Sequence, residues 1–293
     1  MKIEEILSIP PITLSQKQRE SYFDNGYLLV NNAIAQTTLE KLRNTIDQLI
    51  DETRDLQISN AKWDLEPNHK PEAPRLRRLT SPNDHHPLFW DFASTPPVTD
   101  IVVDLLGPSI KFHHSKLNFK WAHGGDQVKW HQDIQFYPHT NYNVLAVGVY
   151  IYDCNDNQGP LGVISGSHNG QLFNQYDKNG KWAGCLSDGD LKKLDFSKEV
   201  YLPGTAGSIT IHNCRTVHSS KPNKSAIGRP LLLNSYSSAD AMPYTIDSLN
   251  SKYYQKLIRG KPVQWAEHDP RPCLMPPDWS KGYTSIFNHQ DKN

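Results

Sequence analysis

The chain has 293 residues and could form one large domain or two small ones, with a substantial buried core in either case. Its 31 basic residues equal its 31 acidic residues, so the charge gives no support to binding of nucleic acid or of an anionic membrane, which a basic excess would favour. No apolar run approaches the roughly 18 residues of a membrane-spanning helix.

The cysteines and both ends of the chain favour a reduced, cytoplasmic protein. The cysteines at 154, 185, 214 and 273 form no CxxC pair of the kind that a disulfide framework or a zinc knuckle uses. The first residues, MKIEEILSIPPI, carry two acidic residues where a secretory signal needs an apolar run. The last residues, QDKN, are not a receptor-read address. We therefore expect a cytoplasmic location.

The first hundred residues are predicted to be mostly helical. Ser15 and Gln18 form a capping box that begins a helix, and this helix should end near Gly26. The apolar run Tyr27–Val30 then predicts a short strand.

Two further helices are predicted before residue 110. Thr37 and Glu40 form a second capping box, and the helix that it begins should pack one apolar stripe into the core: Leu39, Leu42, Ile46 and Leu49. A third helix should begin after Pro97 and end at Gly107.

From residue 111 onward, short alternating runs are separated by Gly, Pro and Asn. The predicted strands are Lys111–Lys120, Val144–Tyr152, Leu161–Ile164, Ser208–Asn213, Thr216–Ser220 and Pro230–Ser238. Many short strands favour a β-sandwich or a barrel over alternating β-α-β units. We expect a single domain over 1–293, with a mostly helical part at 1–110, a β-barrel core at 111–240 and a wrapping tail at 241–293.

A candidate metal site begins at His131. In an extended segment, residues i and i+2 face the same side, so the His131 imidazole and the Asp133 carboxylate should converge. His218, on a later predicted strand, is the best candidate for a third ligand. Two histidines and one carboxylate on one face of a metal leave the opposite positions open, as in non-haem iron(II) oxygenases, although the same ligands also bind Zn(II) or Mn(II).

The His-x-Asp triplet is a weak signal by itself, because a purely structural role also explains such a pair. The chain contains the same triplet again at His289 and Asp291. No later strand follows that could supply a third ligand there, so we interpret the second triplet as a coincidence.

Arg229 makes the first triplet more specific. It follows His218 across a turn at 222–225, and we expect it on the neighbouring strand. A guanidinium there can bind the far end of a dicarboxylate in a bidentate fork, which a lysine cannot reproduce. Ser220 shares the predicted strand face of His218 and could donate to the same carboxylate. The alternative is a surface arginine paired with Asp or Glu.

The stretches HQDIQFYP, DNQGPLGVISGSH and VHSSKPNKSAIGR, in this order, resemble the phytanoyl-CoA dioxygenase family of 2-oxoglutarate oxygenases. YFDNGYLLVNNAI and PPDWSKGYTSIF are similar to further segments of that family. The resemblance implies a mainly β fold with flanking helices, the double-stranded β-helix or jelly roll. It also implies that His131, Asp133 and His218 bind Fe(II), and that 2-oxoglutarate chelates the iron and forms a salt bridge with Arg229, assisted by Ser220. The expected reaction uses O2 and hydroxylates a small organic molecule, with release of succinate and CO2.

The resemblance also suggests residues around the co-substrate and the substrate. Lys116, Asn118 and Tyr150 are candidates for contact with 2-oxoglutarate, and Val149 stands where the member that gave the family its name has a tryptophan. Asp133 stands where related halogenases have Gly or Ala, so we expect oxygenation and not halogenation. The candidate substrate contacts are Phe136, Tyr137 and Tyr236.

Other polar residues receive structural interpretations. We expect His212 to be a hydrogen-bonded core histidine, because the three ligands above complete a metal site. The histidines at 113, 114 and 123 are interpreted as a solvated strand face, with the alternative that one of them lines the substrate pocket. The basic cluster at 75, 77 and 78 is interpreted as a solvated face, or as a lid that reaches an anionic substrate.

Several alternative functions stay open at this point. A hydrolase or isomerase could use the same ligands around Zn(II) or Mn(II), but it would give Arg229 no task. A non-catalytic barrel that binds a small molecule is a further alternative. Among the oxygenases, desaturation, ring formation and epimerisation share the iron chemistry of hydroxylation. The sequence identifies neither the substrate nor the oligomeric state.

Overall fold

Two antiparallel β-sheets form the centre of the molecule in a computed structural model that describes residues 1–123, 125–246, 249, 251–279 and 286–290. The strands are β1 Tyr27–Val30, β2 Trp63–Leu65, β3 Leu76–Thr80, β4 Ile110–Asn118, β5 Val128–His131, β6 Val144–Tyr150, β7 Leu161–Ile164, β8 Glu199–Leu202, β9 Ile209–Asn213, β10 His218–Ser220, β11 Leu231–Ser238 and β12 Leu257–Arg259. The large sheet has the order β1-β9-β6-β11-β4-β3-β2, with β12 paired to β4. The small sheet has the order β5-β10-β7-β8. The predicted jelly roll is confirmed.

Most of the helices flank the large sheet, and the last one contacts β5 of the small sheet. The helices are α1 Ile3–Ser8, α2 Gln16–Asn25, α3 Gln36–Asp51, α4 Pro82–His85, α5 Pro87–Ser94, α6 Val98–Leu106, α7 Asp188–Leu191 and α8 Ile286–Gln290. The apolar stripe of α3 is buried as predicted, in one core cluster with Leu117, Val147 and Ile211 of the large sheet. Strand β6 is buried along its whole length, because one face meets this core and the other faces the interior between the sheets.

The predicted helix boundaries are confirmed for α2 and α6 and are wrong for α3. Ser15 caps α2, which ends at Gly26 in the left-handed region with φ 82°. The start of α3 lies at Gln36, after an extended Ala35, and no side chain caps it. Thr37 therefore lies inside the helix, because the Ala35 carbonyl already accepts the first helical hydrogen bonds from Thr38 and Leu39.

The strand at Tyr27–Val30 and the six predicted after residue 110 are all present with small boundary shifts, and β5 covers the segment predicted to be extended at His131, but four further strands were not predicted. These four are β2, β3, β8 and β12. They are short, and the sequence of β3, LRRLT, interrupts the apolar alternation with two arginines. Such strands depend on pairing with a neighbour, which a local pattern does not reveal.

All three parts of the predicted domain contribute strands to the large sheet. Residues 1–110 supply β1 at one end and β2 and β3 at the other, and β12 of the tail pairs with β4. The single-domain organisation itself stays a prediction. Within the described residues, no helix combines the length and the apolar character that crossing a lipid bilayer requires.

Candidate active site

His131 and His218 lie opposite each other on adjacent strands of the small sheet. The register of β5 and β10 pairs them directly, and their ring centroids are 4.1 Å apart. Gln132 between the two motif residues is extended, and its amide donates to the Arg215 carbonyl at 2.7 Å. Asp133 therefore returns to the side of His131, so the convergence predicted from the i, i+2 spacing is confirmed.

The candidate ligand atoms are close together and correctly oriented. His131 Nε2 is 3.7 Å from Asp133 Oδ1, and His218 Nε2 is 3.8 Å from the same oxygen. Each histidine donates from Nδ1 to the carbonyl two residues earlier, at 2.8 Å for His131 and 2.9 Å for His218. These hydrogen bonds select the tautomer whose Nε2 lone pair can bind a metal.

The protonation states of these residues also suit a metal. Burial lowers the pKa of His131 and the pKa of His218, so both imidazoles are neutral near pH 7. Burial alone would raise the pKa of Asp133, but His218 and a hydrogen bond from His212 hold it well below its usual range. In the described part of the chain, these three side chains are the one group of His, Cys, Asp or Glu whose ligand atoms all lie within 4.8 Å of one another. They fit a divalent ion such as Fe(II).

His212 holds the second oxygen of the carboxylate. Its Nε2 donates to Asp133 Oδ2 at 3.2 Å, whereas Oδ1 faces the two other histidines. Oδ1 is therefore the oxygen directed at the candidate metal position. His212 is 2% exposed, so its interpretation as a hydrogen-bonded core histidine is confirmed.

Two cavities meet at His131 and Asp133. The inner cavity lies between the two sheets, and its walls also include Lys120, Thr210, Ser220, Arg229, Leu231 and Leu233. The outer cavity lies on the other side of His131 and Asp133. Its walls also include Arg78, His113, His114, Phe136, Tyr137 and Trp279. Lys116 and Asn118 line both cavities.

Two cations lie side by side on the wall of the inner cavity. Arg229 and Lys120 exchange both of their backbone hydrogen bonds, at 2.7 and 3.2 Å, which brings their side chains to one face. Arg229 is 3% exposed, and its Nε has no hydrogen-bond partner among the described residues. Burial lowers the pKa of Lys120, and the Arg229 charge lowers it further. This pair of cations suits the carboxylate of a bound dianion.

Gly159 in the DNQGP stretch positions the Arg229 guanidinium. Its carbonyl accepts from Arg229 Nη2 at 2.8 Å. Gly159 has φ +66°, and a Cβ at this position would lie 2.1 Å from the Lys221 carbonyl oxygen. Only glycine allows this close approach. The Gly159 carbonyl thereby fixes the orientation of the Arg229 guanidinium.

The position of Arg229 differs from the prediction in one respect. The sequence suggested that Arg229 lies on the strand beside His218. The structure instead has β10 in the small sheet, whereas Arg229 lies two residues before the start of β11 of the large sheet. Arg229 thus reaches the inner cavity from the opposite wall, because successive strands of a jelly roll alternate between its sheets.

His113 and His114 are not a solvated strand face. They are 6% and 5% exposed, and both line the outer cavity. The pairing of β4 with β11 passes from His114 opposite Ser235 to Phe112 opposite Tyr236, so that His113 is bulged out of the register. The bulge turns two consecutive side chains toward the same cavity.

The three arginines of the basic cluster at 75, 77 and 78 have different surroundings. Arg78 lines the outer cavity, whereas Arg77 forms ion pairs with Glu66 at 3.6 Å and with Asp126 at 2.7 Å. Arg75 stacks over the Trp121 ring at 5.3 Å. Only Arg78 of this cluster therefore lies near the candidate metal position among the described residues.

Two predicted contact residues do not line either cavity. Tyr150 donates from its hydroxyl to the Leu202 carbonyl at 2.6 Å and so links the two sheets beyond the inner cavity. Tyr236 is 0% exposed, packs edge-on against Phe112 and donates to the Ala93 carbonyl at 2.8 Å. Both hydroxyls are thus engaged in the core, and these two assignments are corrected. Val149 lies in the core cluster behind β6.

The tail covers the outer cavity. Ile246, Trp279 and Ile286 line it, and Gln290 attaches helix α8 to β5 by accepting from the Lys129 backbone N–H at 2.9 Å. His289 of the second His-x-Asp triplet lies on α8, with its ring 5.8 Å from that of Trp279, and it does not join the metal group. Asp291 lies outside the described residues.

Comparison with known proteins identifies the family. Residues 22–231 match the sequence profile of the phytanoyl-CoA dioxygenase (PhyH) family. The chain belongs to this family. A probable alpha-ketoglutarate-dependent hypophosphite dioxygenase of Stutzerimonas stutzeri is 28% identical over 278 residues, which cover 94% of this chain and 96% of that protein. The L-proline trans-4-hydroxylase of Streptomyces griseoviridis is 25% identical and covers 81% of this chain and 91% of its own.

The solved structures agree with the fold of this phytanoyl-CoA dioxygenase family member. EctD from S. alaskensis, crystallised with 2-oxoglutarate and 5-hydroxyectoine, superposes with a TM-score of 0.67 at 19% identity, over 90% of this chain and 91% of that chain. The predicted enzyme class, an iron(II)- and 2-oxoglutarate-dependent dioxygenase, is confirmed, as are its cofactors Fe(II), 2-oxoglutarate and O2.

Several residues of the inner cavity were not predicted, among them one lysine and one threonine. Lys120 and Thr210 line it, and the Thr210 hydroxyl has no hydrogen-bond partner in the described structure. Lys120 continues the alternation of Lys116 and Asn118, and Thr210 precedes His212 by two residues. The period of two could therefore have identified both residues.

Proposed function

We propose that this dioxygenase hydroxylates a small, free metabolite in the outer cavity while 2-oxoglutarate occupies the inner cavity. The observation that carries the proposal is the junction of the two cavities at His131 and Asp133, which lets two molecules approach one metal ion from different sides. Substrate, 2-oxoglutarate and O2 are consumed, and the hydroxylated product, succinate and CO2 are formed. One oxygen atom enters each of the two oxidised molecules.

His131, Asp133 and His218 would hold Fe(II) on one face. The metal, when bound, supplies the activation of O2 that side chains cannot provide. The backbone carbonyls that accept from the two Nδ1 atoms keep both imidazoles in place, and His212 keeps the carboxylate directed at the ion. The carboxylate also occupies the position that a halide would need, so we expect oxygenation and not chlorination.

The far carboxylate of 2-oxoglutarate would bind Arg229. The unpartnered Arg229 Nε and Thr210 hydroxyl are donors available on the walls of the inner cavity, and Ser220 lines the same cavity. Lys120 adds positive charge, although its ammonium already donates to backbone carbonyls, including that of Lys221 at 2.6 Å. Asn118 stays a candidate for contact with the co-substrate.

The substrate would be small and free. The outer cavity combines the apolar rings of Phe136 and Tyr137 with polar and charged side chains, a mixture that can both hold and orient a small molecule. The relatives named above act on hypophosphite and on L-proline, and neither name refers to a carrier. We therefore propose a free substrate of similar size and not an acyl-CoA ester.

We also propose that the chain is one domain and that it acts in the cytoplasm. Its N-terminal part and its tail both supply strands to the large sheet, which supports a single folding unit. The four cysteines are free thiols, as a reducing compartment would keep them.

Alanine substitution of the triad tests the proposal. His131→Ala, Asp133→Ala and His218→Ala should each weaken Fe(II) binding sharply in an anaerobic titration and abolish succinate release. His289→Ala is the matched control from the second triplet and should leave both unchanged. A larger effect of His289→Ala than of His131→Ala would contradict the assignment, and turnover without O2 and 2-oxoglutarate would indicate a hydrolase. Mass spectrometry separates a gain of one oxygen from a loss of two hydrogens, which would indicate desaturation or ring formation.

A further inference from the structure

Lys116 has a position in the active site that the co-substrate does not explain. It lies on β4, opposite Leu233 of β11 and Thr80 of β3, and it lines both cavities beside the candidate metal position. No hydrogen bond or ion pair joins its ammonium to any residue in the described part of the chain. A lysine in this position is a donor with three free N–H groups.

A partly buried ammonium without a counter-charge is costly. Burial lowers the pKa of Lys116, and Asp133 opposes this shift through its negative charge. Asp133 is the one carboxylate among the described residues that line the outer cavity, and it is the proposed iron ligand. Once a divalent ion balances this carboxylate, Lys116 has no other anion in the described walls, so a bound anion would remove the cost.

The co-substrate already has cations of its own. Arg229 and Lys120 lie side by side in the inner cavity, and neither lines the outer cavity among the described residues. Two cations match the far carboxylate of 2-oxoglutarate without the help of Lys116. The charge of Lys116 is thus available to a second molecule.

The wall beside Lys116 presents further hydrogen-bond donors. His113, turned toward the cavity by the bulge in β4, has an Nε2 without a hydrogen-bond partner in the described structure. This Nε2 is a donor in the tautomer whose Nδ1 accepts from His114 Nδ1 at 2.6 Å. Arg78 lines the same wall. Phe136 and Trp279 also line this cavity, so charged and apolar side chains border the same space.

We propose that the substrate of this enzyme is a small oxyanion, a phosphinate, phosphonate or carboxylate, whose charged oxygens bind Lys116 in the outer cavity. This inference rests on the proposed function, and it names the class of substrate for the same site. His113 is placed to donate to a second oxygen of the anion. The remaining part of the substrate contacts the aromatic side of the cavity.

Binding of anions to the anaerobic Fe(II)·2-oxoglutarate enzyme tests the proposal. Calorimetric titration with hypophosphite, methylphosphonate and acetate, and with neutral acetamide for comparison, should give binding for at least one anion and none for the amide. Preference for the phosphorus anions or for acetate distinguishes the two sources of the oxyanion. Lys116→Met should weaken anion binding by at least about tenfold, because a charge-assisted hydrogen bond is lost, whereas Lys116→Arg should retain most of it.

Lys111→Met is the matched control. Lys111 is a buried lysine of the same strand, and its ammonium donates to the Ala241 carbonyl at 3.0 Å outside both cavities. The Lys111→Met variant should therefore bind the anion with an affinity within about threefold of the wild type. A similar loss in both variants would assign the effect to damage of β4 and overturn the proposal.

Two other results would also overturn it. Unchanged anion affinity in Lys116→Met would show that this lysine does not bind the substrate. If Lys116→Met lost affinity for 2-oxoglutarate and kept its affinity for the anion, Lys116 would be a contact of the co-substrate and not of the substrate. The charge-transfer absorption of the Fe(II)·2-oxoglutarate complex is recorded in every variant. Its presence without anion binding rejects only the substrate class, whereas its absence from the wild-type protein rejects the proposed function itself.

Discussion

Replacement of Arg229 by leucine should separate co-substrate binding from metal binding. Arg229 is 3% exposed, and its Nε is without a partner in the described structure. Leucine removes the guanidinium and keeps an apolar side chain in the cavity. The 2-oxoglutarate carboxylate would then be buried without its main partner.

The structure sets the size of the effect. Removal of one partner of a buried ion pair costs about 3–5 kcal/mol, which corresponds to a loss of affinity between about 150- and 4,500-fold. Lys120 stays beside the carboxylate, because its backbone pairs with that of residue 229 whatever side chain is present there. We therefore expect the lower end of this range, about 150-fold. Arg229→Lys should lose less 2-oxoglutarate affinity, because it keeps the positive charge and loses only the bidentate hydrogen bonds of the guanidinium.

The assay is an anaerobic titration of 2-oxoglutarate into the Fe(II) enzyme, followed by the charge-transfer absorption, with the KM for 2-oxoglutarate from succinate release. Fe(II) affinity is measured separately and should change little. Arg215→Leu is the matched control, since Arg215 is 5% exposed, stacks over Tyr142 and lies outside both cavities. Unchanged 2-oxoglutarate affinity in Arg229→Leu, or an equal loss in Arg215→Leu, would refute the reasoning.

Two further predictions concern other histidines. His212→Leu removes the donor to Asp133 Oδ2 and should weaken Fe(II) or Co(II) binding by about 10- to 100-fold, with His212→Gln closer to the wild type; equal metal affinity in all three proteins would exclude a positioning role. Burial lowers the pKa of His139 to about 4, whereas in the unfolded chain it is near 6.5. The unfolded state therefore takes up the proton first as the pH falls, so this stabilisation is complete above about pH 6.5 and is lost toward pH 4 at up to about 1.4 kcal/mol per pH unit. Urea unfolding of the metal-free protein should show a shallower pH dependence in His139→Gln, and identical slopes would contradict the prediction.

Much of the candidate site was predictable because it depends on neighbours in the chain. The convergence of His131 and Asp133 follows from the period of two in an extended segment. The helix from Gln16 to Gly26 follows from a capping box and a left-handed glycine. The ordered motifs HQDIQFYP and VHSSKPNKSAIGR were sufficient to predict the family.

Other features depend on the pairing of strands that are far apart in the chain, and only the tertiary structure decided them. The alternation of strands between sheets puts Arg229 on the wall opposite His218, and the backbone pairing with Lys120 gives it a second cation. The bulge in β4 directs both His113 and His114 toward the outer cavity, whereas the sequence suggested a pocket position for one histidine at most. Tyr150 and Tyr236 resembled site residues, yet each hydroxyl is bound to a distant backbone carbonyl. The sequence by itself determined which residue types the site uses and their local geometry. The register between the sheets decided which of them meet, because register is set by packing over the whole barrel and not by any one segment.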